Sequence, residues 1–177
     1  MSDCKRQAGR DGRSDGMNIR TATLDDLKAV AAVEAACFPA AEAASEERLR
    51  DRISYFGRHF WLLFGDDGTL ISFVDGMVTD QRDLTDDLYG DASLHDEKGA
   101  WQMIFGVNTL PSYRKRGYAA LLLTKAIDDA RKEGRQGLVL TCKDKLLHYY
   151  AKFGFKNEGL STSEHGGAVW YQMRLAF

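Results

Sequence analysis

Residues Leu110–Gly134, LPSYRKRGYAALLLTKAIDDARKEG, constrain the fold more than any other stretch of this chain. A strand-like run, AWQMIFGVNT, leads into Pro111; three consecutive cations, Arg114, Lys115 and Arg116, precede Gly117; an apolar-striped segment follows at once. In that segment Ala119, Leu122, Leu123, Ala126, Ile127 and Ala130 recur at helical spacing and Gly134 supplies a terminator. Such a helix needs a sheet to lie on, and its start is then held rigidly. The first N–H groups of a helix have no intrahelical acceptor and the helix dipole is positive there, so this position suits an anion. Gly117 lets backbone approach a phosphate closely, and Ala119 is similarly small. The segment is neither a G-x-x-x-x-G-K-[ST] loop nor a G-x-G-x-x-G turn. Taken alone, three adjacent cations are ordinary solvated surface.

The rest of the chain alternates strand and helix without repeats. NIRTAT reads as a strand, and Thr23 with Asp26 as a capping box opening a helix that carries Leu24, Leu27, Ala31, Ala35 and Phe38 and stops at Pro39. SEERLRDRISYF reads as a second helix capped by Ser45. HFWLLFG and LISFVDGMV, separated by DDGT, read as a hairpin, and residues 80–98 as an acidic loop with a helical turn. Beyond Gly134 the pattern gives strand GLVLTC, short helix LLHYYAKFG, and strands FKNEGL and AVWYQMRL. This order predicts one α/β domain over residues 17–177, with a mixed central sheet of about six to seven strands and helices on both faces. A length of 177 residues suits a single domain with a substantial core.

Composition narrows the function classes. No apolar run reaches transmembrane length, so a membrane partner is not expected. Residues 1–16 lack the apolar segment of a secretory signal and read as a disordered N-terminal extension, with Met17 as an alternative start. Cys4, Cys37 and Cys142 show no metal spacing and no disulfide framework, which fits reduced thiols in a cytoplasmic protein. The four histidines are scattered, and no metal site is expected. Between Arg114 and Lys156 stand eleven Lys and Arg against four Asp and Glu, whereas Asp80–Lys98 holds seven acidic residues and two basic ones. One half could therefore hold an anion and the other draw in a cation, although solvated surface explains both counts equally. With a pI of about 6.1 and no aromatics interleaved in the basic segment, a nucleic-acid partner is not expected.

YRKRGYA, preceded by a strand and Pro111, resembles the Gln/Arg-x-x-Gly-x-Gly/Ala loop of the GCN5-related N-acetyltransferases. LTCKDKLLHYYAKFGFKNEGL resembles that family's strand, short helix and FYxRFGF-type segment, found especially in arylalkylamine (serotonin-type) members. The resemblance spans nearly all of Met17–Phe177. It implies acetyl-CoA as acetyl donor, with Lys115, Arg116, Gly117, Tyr118, Ala119 and Ala120 around its pyrophosphate and Arg114 opening the motif. It also implies that the backbone of Val107, Asn108 and Thr109 pairs with the pantetheine arm like an added strand. Tyr150 matches the tyrosine placed near the cofactor's sulfur, where a phenol serves as general acid to the leaving thiolate; without the resemblance, core packing is the reading of an aromatic in HYYAKFGF.

One departure stands out. The two strand histidines of arylalkylamine enzymes correspond here to Met103 and Phe105, and neither accepts a proton. No general base is assigned; His95, Asp96 and Glu97 are candidates only by nearness in sequence. Cys142 reads as a buried strand residue and not an acyl carrier, and Phe38, Phe56, Trp61, Phe73, Met77 and Met103 as core residues from which an apolar acceptor pocket could be drawn. The implied activity is direct acetyl transfer to a small primary amine of arylalkylamine or polyamine type, with Asp80, Asp83, Asp86 and Asp87 attracting the cation. The alternatives are a protein N-terminal or lysine acetyltransferase and a non-catalytic acyl-CoA sensor. A homodimer is left open.

Overall fold

A computed structural model describes residues 16–177, so the expected extension over residues 1–16, apart from Gly16, lies outside the described residues. The chain runs β1 (Asn18–Thr21), α1 (Leu27–Cys37), α2 (Glu46–Phe56), β2 (Phe60–Phe64), β3 (Leu70–Asp75), β4 (Val78–Thr79) and α3 (Asp86–Gly90). It continues through β5 (Trp101–Ile104), β6 (Gly106–Thr109), α4 (Tyr118–Lys132), β7 (Gly137–Cys142), α5 (Leu147–Ala151), β8 (Lys156–Leu160) and β9 (Tyr171–Ala176). Local chemistry accounts for several boundaries. Ser45 Oγ accepts from the Arg48 N–H (3.2 Å) and starts α2. The Thr23 N–H donates to Asp26 Oδ2 (2.8 Å) in the single 3-10 turn leading into α1. In the β2–β3 hairpin Gly68 adopts φ +80°, a conformation open to glycine, at the turn predicted from DDGT.

Among the described residues nine strands form two hydrogen-bonded sheets, ordered β1-β2-β3-β6 and β4-β5-β7-β9-β8. The first is antiparallel throughout, and in the second only β5 and β7 run parallel. The strand count exceeds the expected six to seven because two predicted strands are each divided. LISFVDGMV becomes β3 and β4, and AWQMIFGVNT becomes β5 and β6. The backbone reason lies at two glycines: a Cβ on Gly76 would fall 1.7 Å from the Met103 carbonyl oxygen, and one on Gly106 would fall 2.8 Å from Asp75 Oδ1. At Gly76 the backbones cross too closely for any side chain, and at Gly106 the Asp75 carboxylate occupies the space a side chain would need.

Two large apolar clusters flank the first sheet. On one face Leu27, Val30 and Val33 of α1 and Leu49 and Ile53 of α2 pack on Phe60, Leu62 and Phe73. On the other, Leu122, Leu123, Ala126, Ile127 and Ala130 of α4 meet Trp61, Leu63, Val74, Ile104, Leu138 and Leu140, together with Tyr150 and Phe155. Helices therefore cover both faces, as the α/β reading expects. Trp61 Nε1 donates to Asp129 Oδ2 (2.9 Å) and fixes α4 against β2.

Candidate active site

The sheet divides at Phe105. Up to Ile104, opposite Leu140, β5 pairs with β7; from Gly106 onward the chain pairs with β3 instead. β6 and β7 therefore diverge, leaving a wedge between two strands that belong to different sheets. The Leu110 N–H bonds to the Ile71 carbonyl (2.9 Å), which sets the alternation along β6. Gly106 and Asn108 turn their backbone groups toward β3, and Val107 and Thr109 turn theirs toward the wedge. The Thr109 carbonyl there accepts from Cys37 Sγ (3.2 Å) and Arg114 Nε (3.2 Å).

Beyond β6 the chain makes one 3-10 turn at Pro111–Tyr113 and reaches the cation cluster. Lys115 has φ +64°, the one positive value among described non-glycine residues, and Gly117 follows at φ +83° as the N-cap of α4. Two left-handed positions flanking Arg116 curl the backbone sharply into the helix. The first bond into α4 runs from the Leu121 N–H to the Gly117 carbonyl (3.0 Å). The amides of Tyr118, Ala119 and Ala120 therefore lack intrahelical partners, and glycine has no side chain to cap them. Arg114, Lys115 and Arg116 are exposed beside them, with the Arg116 guanidinium over the Tyr113 ring at 5.6 Å. A Cβ on Gly117 would meet nothing within 4 Å, so the approach to these amides is open.

Tyr150, of α5, is buried and packs with Tyr118 and Val107 on the α4 cluster, which joins the helix start, the wedge and the phenol in one neighbourhood. It lines a cavity of about 350 Å³ together with Val107, Phe105 and Cys142. Burial, with the Cys142 thiol a smaller contribution, holds the Tyr150 hydroxyl above its ordinary value, so it remains protonated through neutral pH. Burial also pushes the Cys142 thiol up to about 11, which makes it a poor nucleophile. Tyr149 points away, against Tyr150 and Phe153. Of the predicted cofactor residues, Asn108 alone turns its side chain to the opposite face, where Nδ2 donates to Glu34 Oε2 (2.8 Å).

The far wall of this cavity is polar, and sequence reasoning did not reach it. Glu34 of α1, Arg48 and Arg52 of α2, Tyr89 of α3 and His165 from the β8–β9 connection all line it. Arg52 and Asp75 form a buried ion pair (3.3 Å), and Arg52 also lies over the Phe105 ring at 4.7 Å. Burial pushes the Asp75 carboxyl up to about 7 against the pull of Arg52. Tyr89 OH meets Thr141 Oγ1 at 2.9 Å and its ring stacks on His165 at 5.7 Å. His165 Nε2 donates to the Glu42 carbonyl (2.7 Å), holding the connection over the cavity.

Several sequence candidates lie elsewhere. Asp80, Asp83, Asp86 and Asp87 do not line the cavity. Asp86 instead accepts from the Ser163 hydroxyl and the Glu164 N–H (3.0 Å), and Asp83 pairs with Arg174 (2.9 Å), so the acidic segment pins β9 and its preceding loop. Of the six apolar pocket candidates only Phe38 lines the cavity; Phe56, Trp61, Phe73, Met77 and Met103 are core. His95 and Glu97 belong to another cluster, with His59, whose ligand-type atoms lie within 4.8 Å of one another. The Val78 N–H donates to His95 Nδ1 (3.1 Å), so the ring proton sits on Nε2, which faces Glu97 Oε2 (3.0 Å). A protonated Nε2 offers no lone pair to a metal. Glu97 also takes Arg135 (3.1 Å) and acts as a clamp between loops.

Residues 27–155 match the family model described as the acetyltransferase (GNAT) family. The structure is similar to GphF, a GNAT-like decarboxylase in complex with isobutyryl-CoA, at 22% identity and TM-score 0.77, over 90% of this chain and 98% of that one. It is similar to the loading GNATL domain of CurA from Lyngbya majuscula, at 18% identity and TM-score 0.78, over 90% and 97%. It is also similar to the ribosomal-protein-S18-alanine N-acetyltransferase from Escherichia coli, at 19% identity and TM-score 0.67, over 90% and 93%. At such identities the structural likeness speaks for the fold, and none of these three is named as an arylalkylamine enzyme. Because the family match runs from α1 through the divided sheet and the Gly117 helix start to Phe155, this chain belongs to the GNAT family and is an acetyl-CoA-dependent acetyltransferase.

Proposed function

We propose that the acetyl group passes directly from acetyl-CoA to a small primary amine held in the cavity between Tyr150 and α1–α2. The observation that carries this reading is the shared cavity: the wedge between β6 and β7, through Val107, and the Tyr150 phenol open into the same space of about 350 Å³. In this reading the free amides of Tyr118, Ala119 and Ala120, with Arg114, Lys115, Arg116 and Gly117, hold the pyrophosphate. Val107 and Thr109 pair their backbone with the pantetheine arm, and Asn108 keeps the strand in place from below. In this reading the Val107 N–H stabilises the oxyanion formed on attack. Tyr150, kept protonated by burial, gives its proton to the departing thiolate. Direct transfer is favoured over an acyl-enzyme because the cavity's own cysteine, Cys142, is a protonated thiol. A cavity of this size, walled by Phe38, Phe105, Tyr89 and Trp170, accommodates an arylalkylamine or a similarly compact amine. The described cysteines, Cys37 and Cys142, are both unpaired, which agrees with a cytoplasmic setting.

A second reading rests on one further feature. A polar groove of about 240 Å³ along α2 shares Ser45, Arg48, Arg52 and Tyr89 with the cavity, and it could receive the chain following a peptide's N-terminal amine. The test is a panel of aromatic amines, polyamines and peptide amines with acetyl-CoA. Because one similar structure is named a decarboxylase, acetylated product is read by mass and not from thiol release alone. Tyr150→Phe is expected to lower kcat by about 10²-fold and to leave coenzyme A binding within about twofold. Equal kcat in the variant would remove Tyr150 from the reaction, and product on peptides alone would shift the reading to protein acetylation.

A further inference from the structure

At neutral pH an alkyl amine is an ammonium with a pKa near 10, so roughly one molecule in a thousand is nucleophilic and the bound acceptor must lose a proton. The strand positions that carry histidines in arylalkylamine enzymes hold Met103, fully buried, and Phe105, whose ring packs tilted against Tyr89 at 4.7 Å. Among the carboxylates lining the cavity, Glu42 is paired with Lys143 at 2.7 Å. Among the described residues Glu34 has no cationic hydrogen-bond partner. Its two oxygens each accept one neutral donor, the Ala44 N–H at 2.9 Å and Asn108 Nδ2 at 2.8 Å, and each keeps a second lone-pair site.

We infer that Glu34 is the general base that deprotonates the acceptor ammonium, and that Asn108 is the positioning residue that ties this base to the strand beside the thioester. The inference rests on the amine-acetylation reading above. Asn108 follows Val107, whose backbone faces the wedge, so its 2.8 Å bond to Glu34 sets the carboxylate's position from β6 itself. Glu34 and Tyr150 both line one cavity, so a base and an acid share the space that would receive the acceptor. The proton moves from the ammonium nitrogen to a Glu34 oxygen, directly or through one water, and the freed lone pair forms the C–N bond. Collapse of the tetrahedral intermediate breaks the C–S bond, and Tyr150 protonates the thiolate. The nitrogen's second proton, lost as the amide forms, returns to the Tyr150 oxygen, and Glu34 releases its own proton to solvent. One ammonium and one thioester thus give one amide, one thiol and one proton.

The surroundings suit a base. Burial holds the Glu34 carboxyl above the usual carboxylate range, while the Ala44 and Asn108 hydrogen bonds and the charges of Arg52 and His165 limit the rise. Asp75 of β3, paired with Arg52, is itself pushed up to about 7 by burial, and Cys37, one turn on in α1, contributes a thiol that burial keeps protonated. A carboxyl held above its ordinary value is a stronger base than one in water, which suits this step.

The experiment compares Glu34→Gln with the wild type on two acceptors of the same shape, phenethylamine and β,β-difluorophenethylamine, whose ammonium is far more acidic. A base predicts that Glu34→Gln lowers kcat/KM by about 10²–10³-fold for phenethylamine and by less than about fivefold for the fluorinated amine. It also predicts that the variant's rate on phenethylamine climbs with pH up to the amine's own pKa, with the wild type's acidic limb gone. A merely structural glutamate predicts equal losses on both amines and an unchanged pH profile, and that result overturns the inference. Coenzyme A affinity and thermal midpoint, measured on the same samples, show whether the variant is folded. If it is not, Asn108→Ala supplies the second test: a misaligned base must again penalise phenethylamine more than its fluorinated analogue. A wild type inactive on both amines and on the wider panel would overturn the function reading and this inference together. Activity in the wild type with acceptor-independent losses overturns this inference alone.

Discussion

At the proposed cofactor end of the cleft, Arg114, Lys115, Arg116 and Gly117 are exposed, contiguous in sequence and arranged around amides that no described residue satisfies. At the proposed acceptor end, Glu34, Arg52 and Asp75 are buried, come from α1, α2 and β3, and bond mostly to one another or to neighbouring polar groups. The first end binds with permanent charge and fixed dipoles in water. The second works with charges whose ionisation the protein itself has altered. An anion that needs grip and release suits the first arrangement, and a proton that must be moved suits the second.

The sharpest way to break this contrast is to fill the open helix start. Asp is tolerated both in the left-handed region and at an N-cap, so Gly117→Asp can fold while its carboxylate takes the amides and repels the phosphates. Acetyl-CoA affinity is expected to fall about 100-fold, on the order of what a like charge a few ångströms away imposes near a surface. The thermal midpoint should move by no more than a few degrees. Unchanged affinity, measured by calorimetry with coenzyme A, would mean that the amides of Tyr118–Ala120 are not the phosphate site.

The same contrast explains what could be read without coordinates. The proposed cofactor end lies within residues 107–120, so a local pattern of strand, Pro, cations, Gly and apolar stripe carries it. The acceptor end is assembled from residues 34, 52, 75, 89 and 165, which only tertiary folding brings together. A signal was nevertheless present in α1: Leu27, Val30, Val33 and Glu34 are the buried residues of that helix, so a carboxylate sits on its core face. The periodicity as read placed Ala31 and Ala35 on that face instead, one step round the helix. The division of AWQMIFGVNT at Phe105 left no trace in its hydrophobic pattern. It accompanies the close backbone crossing at Gly76 and the Asp75 carboxylate set against Gly106, and that register appears only once β3 is in place.

A second prediction probes the buried end through pH. Burial raises the Asp75 carboxyl from 3.8 to about 7, so the folded state holds its proton more tightly than the unfolded chain. Stability from this group is therefore greatest at low pH and declines as pH rises from about 4 to about 7, by up to about 1.4 kcal/mol per pH unit for one proton. Glu34 is shifted in the same direction and adds to the slope. Urea unfolding between pH 4.5 and 7.5 should show this decline in the wild type and a shallower one in Asp75→Asn, whatever that variant's absolute stability. Identical slopes would mean that Asp75 is ionised throughout, held so by Arg52.

The smallest effect sharpens the comparison at the level of single helix starts. α2 opens with Ser45, whose Oγ accepts the Arg48 N–H, whereas α4 opens with Gly117 and no side-chain cap. A cap contributes stability by satisfying a helix amide internally, and an uncapped start leaves that amide for a ligand. Ser45→Ala should therefore lower stability by about 0.5–1 kcal/mol, a drop of a few degrees at most in the thermal midpoint of a chain this size, and leave coenzyme A affinity unchanged. Ser45→Asp should restore the midpoint, because a carboxylate caps as well as a hydroxyl and also complements the dipole. Gly117→Asp should show the reverse pattern, with the midpoint held and affinity lost, so the two variants together separate structural from ligand-binding helix starts. If both variants moved stability and affinity together, the two ends of the cleft would be one cooperative unit, and the division of labour between permanent and tuned charge would have no physical basis.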